Sequence, residues 1–334
     1  MTRTAPFTLI SVDDPETIEV ASARLGLFHP DEKLLQMERA GEGNMNLVLR
    51  VVTDRRHFIL KQSRPWVEKY PQIAAPADRL LAEVDFYERI EPYEELAASM
   101  PRLLCADPSQ RLMALEDLGE ASDYSELYET RDLDAFPLRE AVSWLAKLHA
   151  VVLEPPTDSI GNLDLRKLNH AHIFDIPFHT PSAIRLDGVC EGLDAVAIEF
   201  REDQSLQATA EQLGQTYLGR GTTLLHGDFY PGSWLRTDSG LRVIDPEFCF
   251  AGPPEFDLGI LAAHRILVGG DQGSCELVRD TYRDAGGASI DEGLLKNFAG
   301  IELIRRLIGV AQLPLRATLE QRRRMLELGA ALLR

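Results

Sequence analysis

A chain of 334 residues with 45% hydrophobic and 26% charged residues is longer than one average domain and can bury a sizeable core. Its formal charge of −18 leaves no uniform basic face, which argues against nucleic acid or an anionic membrane as a partner. No apolar run reaches membrane-spanning length, and the opening MTRTAPFTLISVDDPETIEV lacks the apolar stretch of a secretory signal, so a cytoplasmic protein is expected. The scattered cysteines (Cys105, Cys190, Cys249, Cys275) form no CxxC pair and read as reduced thiols.

In chain order, residues 13–27 read as an amphipathic helix that Asp13 or Asp14 can cap, with Pro15 in its first turn and Gly26 at its end. LLQMERAG, NLVLRVV and HFILKQ then read as three short strands. Gly41 and Gly43 lie in the first connection, and Thr53-Asp54-Arg55-Arg56 makes the second. A polar, proline-containing stretch covers 63–76, and 77–90 reads as helix. RLLCAD and RLMALEDL flank the turn Pro108-Ser109-Gln110 as a further hairpin. After Gly119 helix dominates: 137–152 carry apolar side chains at helical spacing, and 257–334 are helical again. A strand, a polar loop and two more strands interrupt this around 222–246. A β-rich first part before a helical second part predicts an α+β chain of two lobes, 1–118 and 119–334.

The segment LLHGDFYPGSWLRTDSGLRVIDPEFCFAGPPEFDLG holds the densest chemistry. A strand delivers Asp228 into a loop; Ser233 follows within that loop, and Asp245 and Glu247 come at the end of the next hairpin. Transfer of a phosphoryl group to an alcohol needs a carboxylate near the hydroxyl and hard oxygen ligands for a metal on the phosphates. Each acid alone reads equally well as turn chemistry; the order and spacing of the set carry the inference. In the first part, Gly41, Gly43, Asn44 and Asn46 occupy a loop between two strands, and glycines there let backbone amides approach phosphate oxygens. Lys61 lies on the third strand, and Glu83 on the helix after it can pair with that lysine, although Asp78, Asp85 and Glu88 share the helix. His149 and His226 read as structural histidines, and Asp257 as a backbone acceptor near the Asp228 loop. Arg305 and Arg306 are adjacent in an apolar helical segment; neighbours point about 100° apart, so at least one faces the interior or a cleft.

HGDxxxxS followed by DPE resembles the aminoglycoside phosphotransferase and choline kinase superfamily, whose fold is protein-kinase-like. Ser233 where that superfamily usually carries Asn, together with DPEF, GPxxFD, GEGNMNLVLRV and RRLIG, is similar to the methylthioribose kinase branch. The resemblance implies a small β-rich N-lobe and a larger, mainly helical C-lobe. It implies ATP with its adenine beside the backbone of Leu115, Glu116 and Asp117, its phosphates at the 41–46 loop and Lys61, and Mg²⁺ held by Ser233, Asp245 and Glu247. Asp228 would orient the attacking hydroxyl, with Arg305 and Arg306 holding the sugar. The acceptor so implied is 5-methylthioribose at its anomeric hydroxyl, in methionine salvage, and a homodimer is the family expectation. A kinase for another small alcohol (an aminoglycoside, choline or a different sugar) and a non-catalytic nucleotide-binding protein are the alternatives.

Overall fold

The computed structural model describes residues 7–29, 31–41, 45–153, 160, 162–179 and 184–334. The chain divides into two compact units, Met1–Ala121 and Ser122–Arg334. The first contains helix α1 (Pro15–Arg24), strands β1 (Leu34–Arg39), β2 (Leu47–Thr53) and β3 (His57–Gln62), and a short ribbon of β4 (Trp66–Val67) and β5 (Tyr70–Ala74). Helices α2 (Arg79–Ile90) and α3 (Glu94–Ala97) and strands β6 (Leu103–Asp107) and β7 (Leu112–Glu116) complete it. The main sheet has five strands in the order β1-β2-β3-β7-β6, with antiparallel pairing throughout.

Strand alternation decides what each face carries. Leu47, Leu49 and Val51 of β2, and Phe58 and Leu60 of β3, are buried in one cluster with Ile10 and Ile18, so α1 covers that face. Lys61 is one residue out of phase with Leu60 and therefore points to the other face, where α2 packs. Two local expectations change. Asp14 sits at the start of α1 without a side-chain cap, because the Thr17 hydroxyl closes that turn, accepting from the Ser11 amide (3.1 Å) and donating to the Asp14 carbonyl (2.6 Å). The 63–76 stretch, read only as polar and proline-containing, contains the β4–β5 ribbon.

The ribbon is tied down by Arg79 at the first position of α2, whose side chain is almost wholly buried. Its Nε donates to Asn46 Oδ1 (2.9 Å), Nη1 to the carbonyls of Arg64 and Pro76 (both 2.8 Å), and Nη2 to those of Met45 (2.6 Å) and Trp66 (3.3 Å). One guanidinium thus binds backbone acceptors from three segments at once.

The second unit begins with β8 (Ser122–Asp123), α4 (Leu127–Thr130), α5 (Leu138–His149) and α6 (Leu163–His170), which runs into a π-helical turn at Ala171–Asp175. Helices α7 (Leu193–Arg201) and α8 (Gln204–Leu218) follow, then β9 (Thr223–Leu225), β10 (Trp234–Thr237), β11 (Gly240–Val243) and β12 (Phe250–Gly252). The remainder is α9 (Glu255–Leu267), α10 (Ser274–Asp284), α11 (Glu292–Ile308) and α12 (Leu319–Leu332). Helix α9 is buried on nearly every residue from Glu255 to Leu267, and α11 from Phe298 to Ile308, which places these two helices in the core of the unit. Small pairings fix the loops between them: β10 joins β11 and β8, and β9 joins β12.

Replacing Arg79 by Met removes these five hydrogen bonds, and the expected cost is about 3 kcal/mol or more in urea unfolding. A variant as stable as the parent would show that Arg79 is dispensable to the first unit.

Candidate active site

In the first unit, Lys61 Nζ meets Glu83 at 2.8 Å and 2.7 Å to its two carboxylate oxygens, with both side chains essentially buried. Of the acids on α2, it is Glu83 that reaches the lysine; Asp78 and Asp85 pair instead with Arg111 (2.9 Å) and Arg89 (2.7 Å). Gly41 has φ +73°, a left-handed conformation suited to glycine, and the Ala40 amide closes the hairpin on the Val48 carbonyl (3.0 Å). Gly43 and Asn44 lie outside the described residues. Asn46 is buried against Arg79.

The strand end proposed for adenine is also built locally. Leu115 is buried in β7, paired with Ile59 and Leu103. The Glu116 amide donates to the Arg102 carbonyl (2.9 Å) and the Glu116 carboxylate pairs with Arg102 (3.3 Å), so that amide is committed to the sheet. The Asp117 carboxylate accepts from Arg50 Nη2 (3.0 Å) and the Gly119 amide (2.9 Å) and meets His57 Nδ1 (3.0 Å). Burial works against its charge, but these partners outweigh it and lower its pKa.

In the second unit, β9 ends at Leu225 and the chain turns sharply through His226-Gly227-Asp228. Gly227 has φ +86°, and a Cβ there would lie 2.1 Å from the Phe248 carbonyl oxygen, so only glycine fits. Asp257, in the first turn of α9, accepts from two consecutive amides, His226 (2.8 Å) and Gly227 (3.0 Å). His149 Nε2 contacts the same carboxylate (3.4 Å), while its Nδ1 meets the Tyr282 hydroxyl (3.1 Å). The His226 ring links the loop to the next hairpin: Nε2 faces the Ile244 carbonyl (3.0 Å) and Nδ1 accepts from the Asp228 amide (3.4 Å). Burial lowers its pKa and favours the neutral ring that this pattern needs. Beneath the loop, Trp144 of α5 stacks on Phe229 with centroids 5.2 Å apart.

Ser233 Oγ donates to the Asp228 carbonyl (3.0 Å), and the Ser233 carbonyl accepts from the Ile244 amide (3.0 Å). Asp245 follows with φ +60°, a strained conformation for an aspartate. The turn after it is held by Asn162, whose Nδ2 donates to the carbonyls of Glu247 (2.7 Å) and Cys249 (2.9 Å). Ser233, Asp245 and Glu247 supply a hydroxyl and two carboxylates, the hard oxygen donors that suit Mg²⁺ completing its shell with phosphate and water. Among the described residues no group of three or more His, Cys, Asp and Glu side chains is placed to cage a metal by itself.

Both arginines of α11 are buried, Arg305 5% and Arg306 6% exposed, where helical geometry required only one to be. Glu302, three and four residues earlier on the same helix, explains this. It accepts from Arg306 Nε (2.6 Å) and Arg305 Nη1 (3.0 Å), so two guanidiniums can enter the interior together. Arg306 Nη2 then donates to Asp228 Oδ1 (3.0 Å), and Arg305 Nη1 lies 3.5 Å from the same oxygen. Asp228 Oδ2 has no protein hydrogen-bond partner among the described residues, and Arg305 Nε is buried without one. The Arg306 guanidinium lies over the Tyr230 ring, 4.7 Å from its centroid. Burial opposes the charge on Arg306 and Glu302 alike; Arg305 and then Arg306 nonetheless hold the Glu302 carboxyl well below its usual range, and Glu302 and then Asp228 keep Arg306 charged.

Arg79, Asn162, Glu302, His264 and Tyr128 were not singled out from sequence. Glu302 alone left a signal there, as an acid spaced three and four residues before the arginine pair in an otherwise apolar helix.

Two predictions follow from this geometry. Gly227→Ala forces the turn away from Phe248 and should destabilise the protein by more than about 2 kcal/mol while abolishing catalysis, read by thermal unfolding and turnover. Burial also holds the His264 imidazole down to about 4 from the usual 6.5, despite the opposing influence of Glu302. The unfolded chain gains this proton below pH 6.5 and the folded chain only near 4. Stability is therefore lost as pH falls through that window, by about 3 kcal/mol for this group. Urea unfolding at pH 4.5 and 7 should show a smaller loss in His264→Gln than in the parent; equal losses would refute the assignment.

The chain is similar to known proteins. The methylthioribose kinase of Exiguobacterium sibiricum is 27% identical, over 89% of this chain and 87% of that protein. The methylthioribose kinase of Geobacillus thermodenitrificans is 28% identical, over 77% and 67%. Among solved structures, the choline kinase LicA of Streptococcus pneumoniae superposes with a TM-score of 0.53 at 14% identity, covering 97% of this chain and 99% of that one. That likeness establishes the protein-kinase-like α+β fold. Residues 36–295, most of the chain, match the phosphotransferase enzyme family (APH), and the chain belongs to that family of enzymes that transfer phosphate to a hydroxyl.

Proposed function

We propose that this enzyme transfers the γ-phosphoryl group of ATP to a hydroxyl of 5-methylthioribose, the anomeric one, in the cytoplasm. The observation that carries the reading is the state of Asp228: one carboxylate oxygen is engaged by the arginine pair and the other has no protein partner among the described residues. A carboxylate presented in this way can accept a hydrogen bond from an alcohol and orient its oxygen for in-line attack.

The other groups take complementary roles. Lys61, oriented by Glu83, offers its ammonium to the nucleotide phosphates, and the backbone around Gly41 provides amides for them. Glu116 has its amide in the sheet, so adenine is read by other backbone groups at the end of β7. Ser233, Asp245 and Glu247 hold Mg²⁺, which supplies charge neutralisation on the phosphates. The Arg305 Nε donor suits an acceptor oxygen, and the fixed positive charges of the pair favour the negative charge that develops during transfer. The ribose derivative rather than another alcohol is supported by the likeness to the two methylthioribose kinases and by the buried arginine pair, since guanidinium donors match a polyhydroxylated acceptor.

An assay of ATP consumption with Mg²⁺ across 5-methylthioribose, ribose, choline and aminoglycosides tests the proposal. Turnover should be greatest with 5-methylthioribose, and Asp228→Ala should remove it while ATP still binds. Turnover that survives Asp228→Ala would overturn the catalytic assignment. Clear preference for choline or an aminoglycoside would overturn the substrate and leave the phosphotransferase intact.

A further inference from the structure

Glu302 has no direct part in the reaction above, yet it lies at the centre of the buried charges. Its Oε1 accepts from Arg306 Nε (2.6 Å) and also faces His264 Nε2 (3.1 Å); its Oε2 accepts from Arg305 Nη1 (3.0 Å). His264 Nδ1 is met by the Tyr128 hydroxyl at 2.6 Å. Glu302, His264 and Tyr128 are all buried, as is the His264 face turned to the Tyr230 ring, 5.4 Å between centroids.

The direction of every hydrogen bond follows from the chemistry of the groups. Glu302 is ionised and can only accept, so His264 Nε2 carries the proton and Nδ1 is the acceptor. The Tyr128 hydroxyl must then donate. Donors run one way, from Tyr128 through His264 to Glu302 on one side, and from the arginines to Glu302 and Asp228 on the other. A neutral His264 braces Glu302 without adding a third positive charge.

We propose that Glu302, backed by His264 and Tyr128, is a positioning residue that keeps Asp228 competent by occupying Arg306 Nε. The proposal rests on the phosphotransferase reading of Asp228. With Nε engaged by Glu302, Arg306 reaches Asp228 through Nη2 alone, and Asp228 Oδ2 stays open for the acceptor hydroxyl. Without Glu302, the planar fork of Arg306 is released to grip both carboxylate oxygens, the arrangement that guanidinium and carboxylate favour. Fold stability is a weak reason for such a cluster, because buried ion networks are often matched or exceeded by apolar packing.

The test is steady-state kinetics of the full chain with ATP, Mg²⁺ and 5-methylthioribose, or the alcohol that the acceptor panel selects, in Glu302→Gln, Tyr128→Phe and the double variant. Glu302→Gln should lower kcat on the order of 100-fold and change the KM for ATP less than about 3-fold, since the groups it touches, the arginine pair and through it Asp228, are not those assigned to the nucleotide. Tyr128→Phe should lower kcat about 5-fold by itself and add nothing in the Glu302→Gln background, the non-additivity expected of groups acting through one another. An unchanged kcat in Glu302→Gln, or a full multiplicative effect of Tyr128→Phe in the double variant, overturns the proposal. If Glu302→Gln does not fold, Tyr128→Phe decides alone: a reduced kcat with unchanged KM for ATP and unchanged thermal midpoint supports the role, and an unchanged kcat refutes it. Loss of turnover in Asp228→Ala stands whether or not Glu302 behaves as expected, so failure here is separable from failure of the underlying function. Absence of turnover by the parent with every acceptor overturns both.

Discussion

Four charges share one buried corner of the second unit: Asp228, Glu302, Arg305 and Arg306. Taking such groups out of water is expensive, and they remain there only because each meets an opposite charge at hydrogen-bond distance. The corner constrains the surrounding fold. Helix α11 must present Glu302 and both arginines on its buried surface, and the Asp228 loop must arrive opposite them. The loop meets that requirement through Asp257, whose carboxylate holds two consecutive amides, and through Gly227, where any side chain would strike the Phe248 carbonyl.

The first unit solves a related problem with fewer parts. Lys61 is buried on a central strand, and an ammonium there requires a compensating carboxylate. Helix α2 provides Glu83, and one turn earlier Arg79, which collects carbonyls from the hairpin loop and from the ribbon. The same helix therefore orients the lysine and anchors the end of the loop whose glycines were read as phosphate contacts. Both units use a buried arginine on a helix to fix a loop, one by backbone carbonyls and the other by carboxylates.

Much of this was legible in the sequence, for identifiable reasons. The strands around Lys61 and the long helices appear as periodic patterns because burial of one face writes period 2 or 3.6 into the order of residues. The HGD loop and the DPE turn are short, local and chemically restrictive, so their members stay together in the chain. Partners brought from afar were less legible. Glu83 was one of several acids on its helix, and its pairing depends on which face of β3 Lys61 occupies. Tyr128 and His264 are 136 positions apart and carry no mark of their contact. The β4–β5 ribbon left no strand signal in the sequence because its pairing is irregular and its stretch is polar and proline-containing.

The residue order by itself determined the α+β character, the strand that carries Lys61, and the short stretch that holds Asp228, Ser233, Asp245 and Glu247, since each of these is set by neighbours within one element or one turn. Only the tertiary structure decided that both arginines are buried, that Glu302 and Asp228 both meet them, and that Asn46 serves Arg79. Those outcomes depend on which groups meet across distant segments, where the energy of burying a charge selects the partner and local pattern has no say.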